Sequence, residues 1–144
     1  MRIGLLGASR IGVDAIIKPA ADVPGVEVCA LAARSPARAA EYADEHAIPA
    51  IESDYAALVA SPDIDLVYNG LPPSEHKSWT IAALRAGKHV LCEKPFALHA
   101  DEAADMVRAA DETGGKLIEA FHYRFHPLFH RVMEIRDSGV LGDL

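Results

Sequence analysis

Six short, mostly apolar segments alternate along the chain with segments in which apolar residues recur at helical spacing. The short segments cover residues 3–6, 26–33, 50–51, 65–70, 88–92 and 117–120. Such short apolar runs are typical of strands buried on both faces of a parallel sheet. The helical spacing predicts amphipathic helices over residues 11–21, 37–46, 54–60, 74–86, 101–113 and 128–137. Together they predict a doubly wound α/β (Rossmann) fold: a mostly parallel sheet of about six strands with helices on both faces.

Polar residues and glycines mark the predicted ends of these elements. Ser53 and Ser74 each stand at the start of a helix and are expected to cap its N-terminus. Gly87 is expected to end the helix that Ser74 begins. Residues 138–144 are expected to start another strand.

The first strand runs directly into a turn with two glycines, Gly7 and Gly12. In the dinucleotide fingerprint G-x-G-x-x-G, such a turn presents backbone N–H groups at a helix N-terminus to a pyrophosphate. Ser9 replaces the middle glycine, and its hydroxyl is itself a possible donor to phosphate. We therefore predict cofactor contacts from residues 7–12, with Arg10 and Ile11 opening the helix. A plain strand-turn-helix without a ligand remains the alternative.

The second strand ends in Ala33, Arg34 and Ser35, without the acid that binds the ribose 2′-hydroxyl of NAD. Arg38 follows Arg34 by one helical turn, so the two guanidinium groups can reach one phosphate. This pattern predicts a preference for NADP(H) over NAD(H), with Arg34, Ser35 and Arg38 in contact with the cofactor. Solvated charges at a helix end are the alternative.

Two further groups follow the fourth and fifth strands. Leu71, Pro72 and His76 come after the fourth strand, at the edge where doubly wound folds bind ligands, and are predicted cofactor residues. Glu93 and Lys94 end the fifth strand and are predicted to belong to the cofactor site and to act in catalysis. A lysine there can hydrogen-bond a substrate oxygen while Glu93 holds or tunes it, and Pro95, which can take the cis form, fixes the backbone. An ordinary loop with a solvated ion pair is the alternative.

Three histidines, His122, His126 and His130, recur at a spacing of four, which suggests a metal face on a helix. Pro127 argues against this, because a residue before proline is disfavoured in a helix. We therefore expect no metal. A polar, aromatic wall on the substrate side, with His122, Tyr123 and Arg124, is the favoured interpretation.

Composition restricts the partners and the compartment. Hydrophobic residues make up 51% of the sequence, and no apolar run is long enough to cross a bilayer. The net charge of −7 disfavours nucleic acid or an anionic membrane as the main partner. Strand one starts directly after Met1-Arg2, without a signal peptide, so we expect the cytoplasm. Cys29 and Cys92 lie in predicted buried strands and are expected to be free thiols.

Taken in order, these motifs resemble the cofactor domain of the glucose-fructose oxidoreductase and inositol dehydrogenase family (Gfo/Idh/MocA), and best its dihydrodiol and xylose dehydrogenase-like branch. The resemblance spans essentially the whole chain and rests on residues 7–12, 32–35, 70–76, 86–95 and 119–127. It implies NAD(P)-dependent oxidation of a carbinol, or reduction of its carbonyl, on a small sugar, polyol or diol substrate. It also implies that Lys94 polarises the substrate beside the nicotinamide.

Members of this family continue into a second domain that forms most of the substrate pocket. The resemblance therefore implies a cofactor domain over residues 1–120, with a connecting helix and the start of that second domain over residues 121–144. Such a chain should bind cofactor but turn over substrate poorly. An apolar face near Phe121, Tyr123, Phe125 and Phe129 would then favour a homo-oligomer. A non-catalytic NADP(H)-binding or sensing module and a plain interaction domain remain alternatives.

Overall fold

The computed structural model describes residues 1–142, and over this range it contains the six predicted sheet strands and a helical segment at each predicted helix. The strands are β1 (Arg2–Leu6), β2 (Glu27–Ala32), β3 (Ala50–Ile51), β4 (Leu66–Asn69), β5 (His89–Cys92) and β6 (Leu117–Glu119). The helices are α1 (Arg10–Gly12), α2 (Lys18–Ala21), α3 (Pro36–Glu45), α4 (Tyr55–Ala60), α5 (Pro73–Arg85), α6 (Ala100–Thr113) and α7 (Pro127–Asp137). A π-helical segment, Val13–Ile17, joins α1 to α2, and a 3-10 turn, His122–Phe125, follows β6.

The strands form one sheet in the order β3-β2-β1-β4-β5-β6, in which every neighbouring pair is parallel. The predicted doubly wound fold is therefore confirmed. Because all strands point the same way, the turns that follow them gather at one edge of the sheet. The sequence order reverses between β1 and β4, which places the glycine turn after β1 beside the loop after β4.

Helices bury apolar side chains on both faces of the sheet, as a parallel sheet requires. On one face, Leu58, Leu84 and Met106 from three helices are each 0% exposed. On the other, Ile16 and Tyr42 belong to a second cluster of buried residues. Complete burial of one such side chain contributes about 1.5–3 kcal/mol. The two layers thus hold the carboxyl edge of the sheet in a fixed geometry.

The caps of two helices differ from the prediction. Asp54, rather than Ser53, caps α4, because its Oδ1 accepts a hydrogen bond of 2.8 Å from the backbone N–H of Ala57. Ser74 lies inside the first turn of α5, which begins at Pro73. A proline at this position has a helical φ and its missing N–H costs nothing, so the helix starts before the serine.

The helix after β1 also departs from the regular helix that the apolar spacing predicts. In its π-helical segment, the backbone N–H of Lys18 donates to the carbonyl of Val13, five residues earlier. Pro19 has no N–H and cannot make the next α-helical bond, to the carbonyl of Ala15. The widened turn therefore lies directly before the proline.

The segment after β6 packs little against the sheet domain, since neither the 3-10 turn nor α7 has a buried residue. The strand predicted over residues 138–144 is wrong for residues 138–141, which form turns, and Gly139 there has a φ of 72°. Residues 143 and 144 lie outside the described part of the chain. No helix within residues 1–142 is both long and apolar enough to cross a membrane.

Candidate functional site

A cavity of about 420 Å³ opens at the carboxyl edge of the sheet, where the turns after β1, β2 and β4 meet. Its wall consists of Gly7, Ala8, Ser9, Ala33, Arg34, Ser35, Arg38, Tyr55, Gly70, Leu71, Pro72, Ser74 and Glu75. The predicted cofactor residues in that wall are Gly7, Ser9, Arg34, Ser35, Arg38, Leu71 and Pro72. The predicted residues outside it are Arg10, Ile11, Gly12, His76, Glu93 and Lys94.

Gly7 makes the turn at the floor of the cavity. Its φ of 90° lies in the left-handed region, which favours glycine, and its N–H donates to the carbonyl of Ala32 at 2.8 Å. A Cβ on Gly7 would stand 3.0 Å from Leu71 Cδ2. The turn is thus tied to β2 and lies directly against the loop after β4.

Ser9 caps the helix that follows this turn, because its Oγ accepts a hydrogen bond of 3.2 Å from the N–H of Gly12. The carbonyl of Ser9 accepts a second bond, of 2.9 Å, from the hydroxyl of Tyr42 in α3. The serine that replaces the middle glycine of the fingerprint therefore has a local structural use, and its side chain still lines the cavity.

Gly12 and Gly70 are both packed against tyrosine rings. A Cβ on Gly12 would lie 3.3 Å from Tyr42 Oη and 3.4 Å from Tyr68 Cε1. A Cβ on Gly70 would lie 2.7 Å from Tyr68 Cε1 and 2.9 Å from Ser9 Oγ, which is closer than atoms can approach. The requirement for glycine at position 70 depends on the ring of Tyr68 and appears only in three dimensions.

Both predicted arginines stand on the β2 side of the cavity with exposed side chains. Ser35 caps α3 by accepting a bond from the N–H of Arg38 at 3.4 Å. One guanidinium nitrogen of Arg38 donates to the carbonyl of Ala8 at 3.3 Å, which ties α3 to the turn after β1. Two positive groups therefore stand on the side of the cavity formed by the end of β2.

Sequence reasoning missed three further residues of the cavity wall, which are Tyr55, Ser74 and Glu75. The ring of Tyr55 meets that of Trp79 edge to face, with centroids 5.3 Å apart. The indole N–H of Trp79 donates to Glu75 Oε2 at 3.0 Å. These residues lie in first helical turns after parallel strands, a position that could have identified them from the sequence.

Glu93 and Lys94 form a second group at the same edge, after β5. Glu93 is only 5% exposed, and its Oε1 accepts a hydrogen bond of 2.9 Å from the hydroxyl of Tyr68. Its Oε2 accepts a bond of 3.2 Å from the backbone N–H of Lys94. Burial, together with the bond to Glu93, raises the pKa of the Tyr68 hydroxyl far above its usual value. The Tyr68 hydroxyl therefore stays protonated in neutral solution and donates its hydrogen bond to Glu93.

The side chain of Lys94 is exposed, and the Lys94–Pro95 peptide bond is cis. Among the ion pairs of residues 1–142, none includes the Lys94 ammonium. The solvated Glu93–Lys94 pair considered as an alternative is therefore absent from this part of the chain. Glu93 thus holds the backbone of the lysine, while the lysine side chain is exposed.

Cys92 immediately precedes Glu93 and is fully buried. Burial raises the pKa of its thiol to about 12. Because the thiolate is the reactive form, this cysteine is inert at neutral pH. Of Cys92, Glu93 and Lys94, only the lysine has an exposed side chain.

His76 is 0% exposed, and both ring nitrogens face backbone carbonyls of the protein. Its Nε2 lies 2.8 Å from the oxygen of Leu71, and its Nδ1 lies 3.0 Å from the oxygen of Pro95. The structure therefore places this predicted cofactor residue beneath the two loops, outside the cavity wall.

The predicted substrate-side residues, His122, Tyr123 and Arg124, lie in the exposed 3-10 turn after β6. His126 caps α7 by accepting a bond of 3.1 Å from the N–H of Leu128, so His122 and His126 do not share a regular helix, as Pro127 predicts. Within residues 1–142, no three His, Cys, Asp or Glu side chains are grouped as metal ligands. Phe121, Tyr123 and Phe125 of the predicted apolar face are 38%, 54% and 75% exposed, whereas Phe129 is partly buried and its ring meets that of Tyr123 with centroids 5.1 Å apart.

The fold is similar to that of a solved enzyme whose structure contains NADP. The 3-ketoreductase KijD10 of Actinomadura kijaniata, solved with TDP-benzene and NADP in an open conformation, superposes with a TM-score of 0.88 at 35% identity. That match covers 97% of this chain and 44% of KijD10.

Two curated relatives are also close in sequence. The chain is 44% identical over 135 residues to D-xylose 1-dehydrogenase (NADP(+)) 2 of Haloferax volcanii, covering 94% of this chain and 41% of that protein. It is 39% identical over 118 residues to the trans-1,2-dihydrobenzene-1,2-diol dehydrogenase of Bos taurus, covering 82% of this chain and 35% of that enzyme. The chain thus spans less than half the length of these relatives.

The family model for the "Oxidoreductase family, NAD-binding Rossmann fold" (GFO_IDH_MocA) matches residues 1–121, from β1 to the end of β6. The matched range contains the glycine turn, both arginines, Glu93 and Lys94. The chain therefore belongs to the Gfo/Idh/MocA oxidoreductase family, of which it carries the NAD-binding Rossmann domain.

Proposed function

We propose that this chain is the NADP(H)-binding part of an oxidoreductase that moves a hydride between the nicotinamide and a sugar, polyol or diol. The observation that carries the proposal is that the Gly7 turn, Arg34 and Arg38 surround one cavity at the sheet edge where Lys94 also lies. The relatives point the same way, since their names specify NADP, a sugar or a diol.

The residues around the cavity fit a dinucleotide phosphate. The turn at Gly7 leads into a helical stretch that runs from Arg10 to Ala21, and backbone N–H groups at such a start favour anions. Arg34 and Arg38 offer charge-assisted bonds to a 2′-phosphate. Glu75 in the cavity wall would repel a phosphate, so we assign the phosphates to the glycine turn and the two arginines, and the uncharged adenine to the part of the wall near Tyr55 and Glu75.

The bound cofactor would supply or accept the hydride. In this scheme the Lys94 ammonium donates a hydrogen bond to the substrate oxygen and stabilises the negative charge that develops there. Glu93 holds the backbone of Lys94 and is in turn held by Tyr68. We assign the segment after β6, residues 121–144, to the connection with a substrate-binding part. A non-catalytic NADP(H)-binding module would use the same cavity but has no need of a lysine held at this edge.

Titration of the unmodified protein with NADPH and with NADH, followed by cofactor fluorescence, tests the proposal. We expect saturable binding of both and a preference for NADPH of about tenfold or more, the value of one charge-assisted contact. Competition by adenosine 2′,5′-bisphosphate but more weakly by ADP would locate the preference at the 2′-phosphate. Absence of binding by either cofactor would overturn the proposal, and equal affinities would overturn its preference for NADP(H).

A further inference from the structure

His76 lies between two loops that the proposed function uses separately. Its Nε2 is 2.8 Å from the carbonyl oxygen of Leu71, which lines the cavity. Its Nδ1 is 3.0 Å from the oxygen of Pro95 and 3.3 Å from that of Phe96, the residues that follow Lys94. One rigid ring thus spans the distance from the cavity wall to the lysine loop.

Each loop is also held on the side away from His76, which limits how far its backbone can move independently of the ring. The side chain of Leu71 stands directly under the glycine turn, 3.0 Å from the position of a Cβ on Gly7. On the far side, the N–H of Phe96 donates to Glu119 Oε1 at 3.0 Å, which anchors the lysine loop to β6. The ring of His76 is therefore the direct contact between Leu71 and the backbone that follows Lys94.

The chemistry of the contacts makes this connection specific to histidine. A carbonyl oxygen only accepts hydrogen bonds, so a ring nitrogen bonds to it only when that nitrogen carries a hydrogen. The imidazole ring places a nitrogen at each of two opposite edges of one rigid group, and the nitrogen that carries the hydrogen donates to the carbonyl oxygen that it faces. Because His76 is 0% exposed, water does not replace these bonds.

We propose that His76 is a positioning residue that couples occupancy of the cavity to the order of the loop carrying Lys94. This inference rests on the proposed function, because it requires a nucleotide in the cavity. In this role, His76 affects the reaction without contacting either the cofactor or the substrate.

Hydrogen exchange with a ligand that is too short to reach Lys94 tests the coupling. Adenosine 2′,5′-bisphosphate carries only the adenosine half of NADP(H), so it occupies the cavity without a nicotinamide. We expect its binding to slow exchange of the Lys94 and Phe96 amides by about fivefold or more, which is the lower range of coupling between distinct sites. Unchanged exchange of both amides in the saturated protein would overturn the proposal.

Two variants of His76 and one control separate coupling from stability. In His76→Phe, which removes both ring nitrogens, the slowing should disappear while adenosine 2′,5′-bisphosphate still binds. His76→Gln retains one donor, is the safer variant for folding, and should retain part of the slowing. Thr80→Val removes a different buried bond of α5, that between Thr80 Oγ1 and Asn69 Nδ2 at 3.1 Å, and should leave the slowing intact. Loss of the slowing in Thr80→Val as well, or its full retention in His76→Gln and His76→Phe, would show that His76 is only structural.

A calorimetric titration of the same samples distinguishes the two proposals. Binding of adenosine 2′,5′-bisphosphate without any effect on the lysine loop would sink the role of His76 and leave the cofactor site intact. If neither this ligand nor ADP binds, the proposed function fails, and the coupling fails with it.

Discussion

Tyr68 and Glu93 form a buried hydrogen bond across neighbouring strands, with the tyrosine hydroxyl 2.9 Å from the Glu93 carboxylate. Tyr68 is 0% exposed and Glu93 is 5% exposed. The ring of the same tyrosine packs under Gly70, at the wall of the cavity. One side chain therefore supports both the cavity wall and the loop that carries Lys94.

Tyr68→Phe should destabilise the domain by about 1–3 kcal/mol, because the buried Glu93 carboxylate loses its donor. Urea unfolding of the parent and the variant measures the difference in the free energy of unfolding. The double variant with Glu93→Gln completes a cycle, in which we expect a coupling of about 0.5–3 kcal/mol between the two residues. If the losses of unfolding free energy in the two single variants simply add up in the double variant, the bond does not contribute to stability.

Lys94→Ala should lower turnover by about a hundredfold or more in an enzyme that contains this domain and its substrate-binding part. Affinity for NADPH should stay near normal, because Lys94 lies outside the wall of the cavity. Steady-state kinetics and a cofactor titration measure the two effects. Lys116→Ala is the matched control, since Lys116 is an exposed lysine at the opposite edge of the sheet. Unchanged turnover in Lys94→Ala would favour a non-catalytic module.

Arg34→Ala should narrow the preference for NADPH over NADH at least about tenfold, since one lost charge-assisted contact costs about 1.5–3 kcal/mol. Fluorescence titration with both cofactors gives the ratio. Arg38→Ala should have a mixed effect, because Arg38 also donates to the carbonyl of Ala8 and supports the turn. Arg85→Ala, at the far end of α5, is the control. The assignment of Arg34 to the 2′-phosphate is wrong if its loss weakens both cofactors equally.

Gly70→Ala should cost about 1–3 kcal/mol of stability and weaken cofactor binding. Its Cβ would stand 2.7 Å from the buried ring of Tyr68, which has no space to move. Gly12→Ala should destabilise the domain less, because the atom closest to its Cβ would be Ser9 Oγ, at 3.1 Å, at the tip of the serine side chain. Thermal unfolding and NADPH titration of both variants test this order, and a reversed order would contradict it.

Stability at acid pH should depend on Asp65. Hydrogen bonds from the side chain and backbone of Arg2 lower its pKa from 3.8 to about 2. A lowered pKa means that its stabilising effect is complete above the unfolded pKa and is lost as the pH falls through the folded value. Asp65→Asn should therefore lower the melting temperature at neutral pH, and the difference from the parent should shrink between about pH 4 and about pH 2.

Asp63→Asn is the control for that experiment. Asp63 pairs with the same guanidinium at 2.9 Å, but its side chain is 82% exposed. Exposed pairs contribute little, so this variant should change the melting temperature only slightly. A difference between Asp65→Asn and the parent that is constant over the acid range would rule out the carboxylate as its source.

The pattern of apolar and polar positions was sufficient for the strands, the helices and their parallel arrangement. Short apolar runs and helical spacing are local properties, and a parallel sheet then forces the turns after its strands to one edge. For this reason the sequence identified Gly7, Ser9, Arg34, Arg38 and Leu71 as neighbours, although they are distant along the chain. The predicted N-caps of α4 and α5 are wrong, because Asp54 caps α4 in place of Ser53 and Pro73 begins α5 before Ser74.

The tertiary structure alone decided where side chains point and which distant residues meet. His76 lies on a predicted helix that begins after Leu71. The neighbouring sequence does not show that its ring turns inward to the carbonyl of Pro95, 19 residues later. The bond from Tyr68 to Glu93 joins residues 25 positions apart and depends on the register of β4 with β5. Side-chain direction and strand register are set by the packing of the whole core, and no short stretch of sequence contains that information.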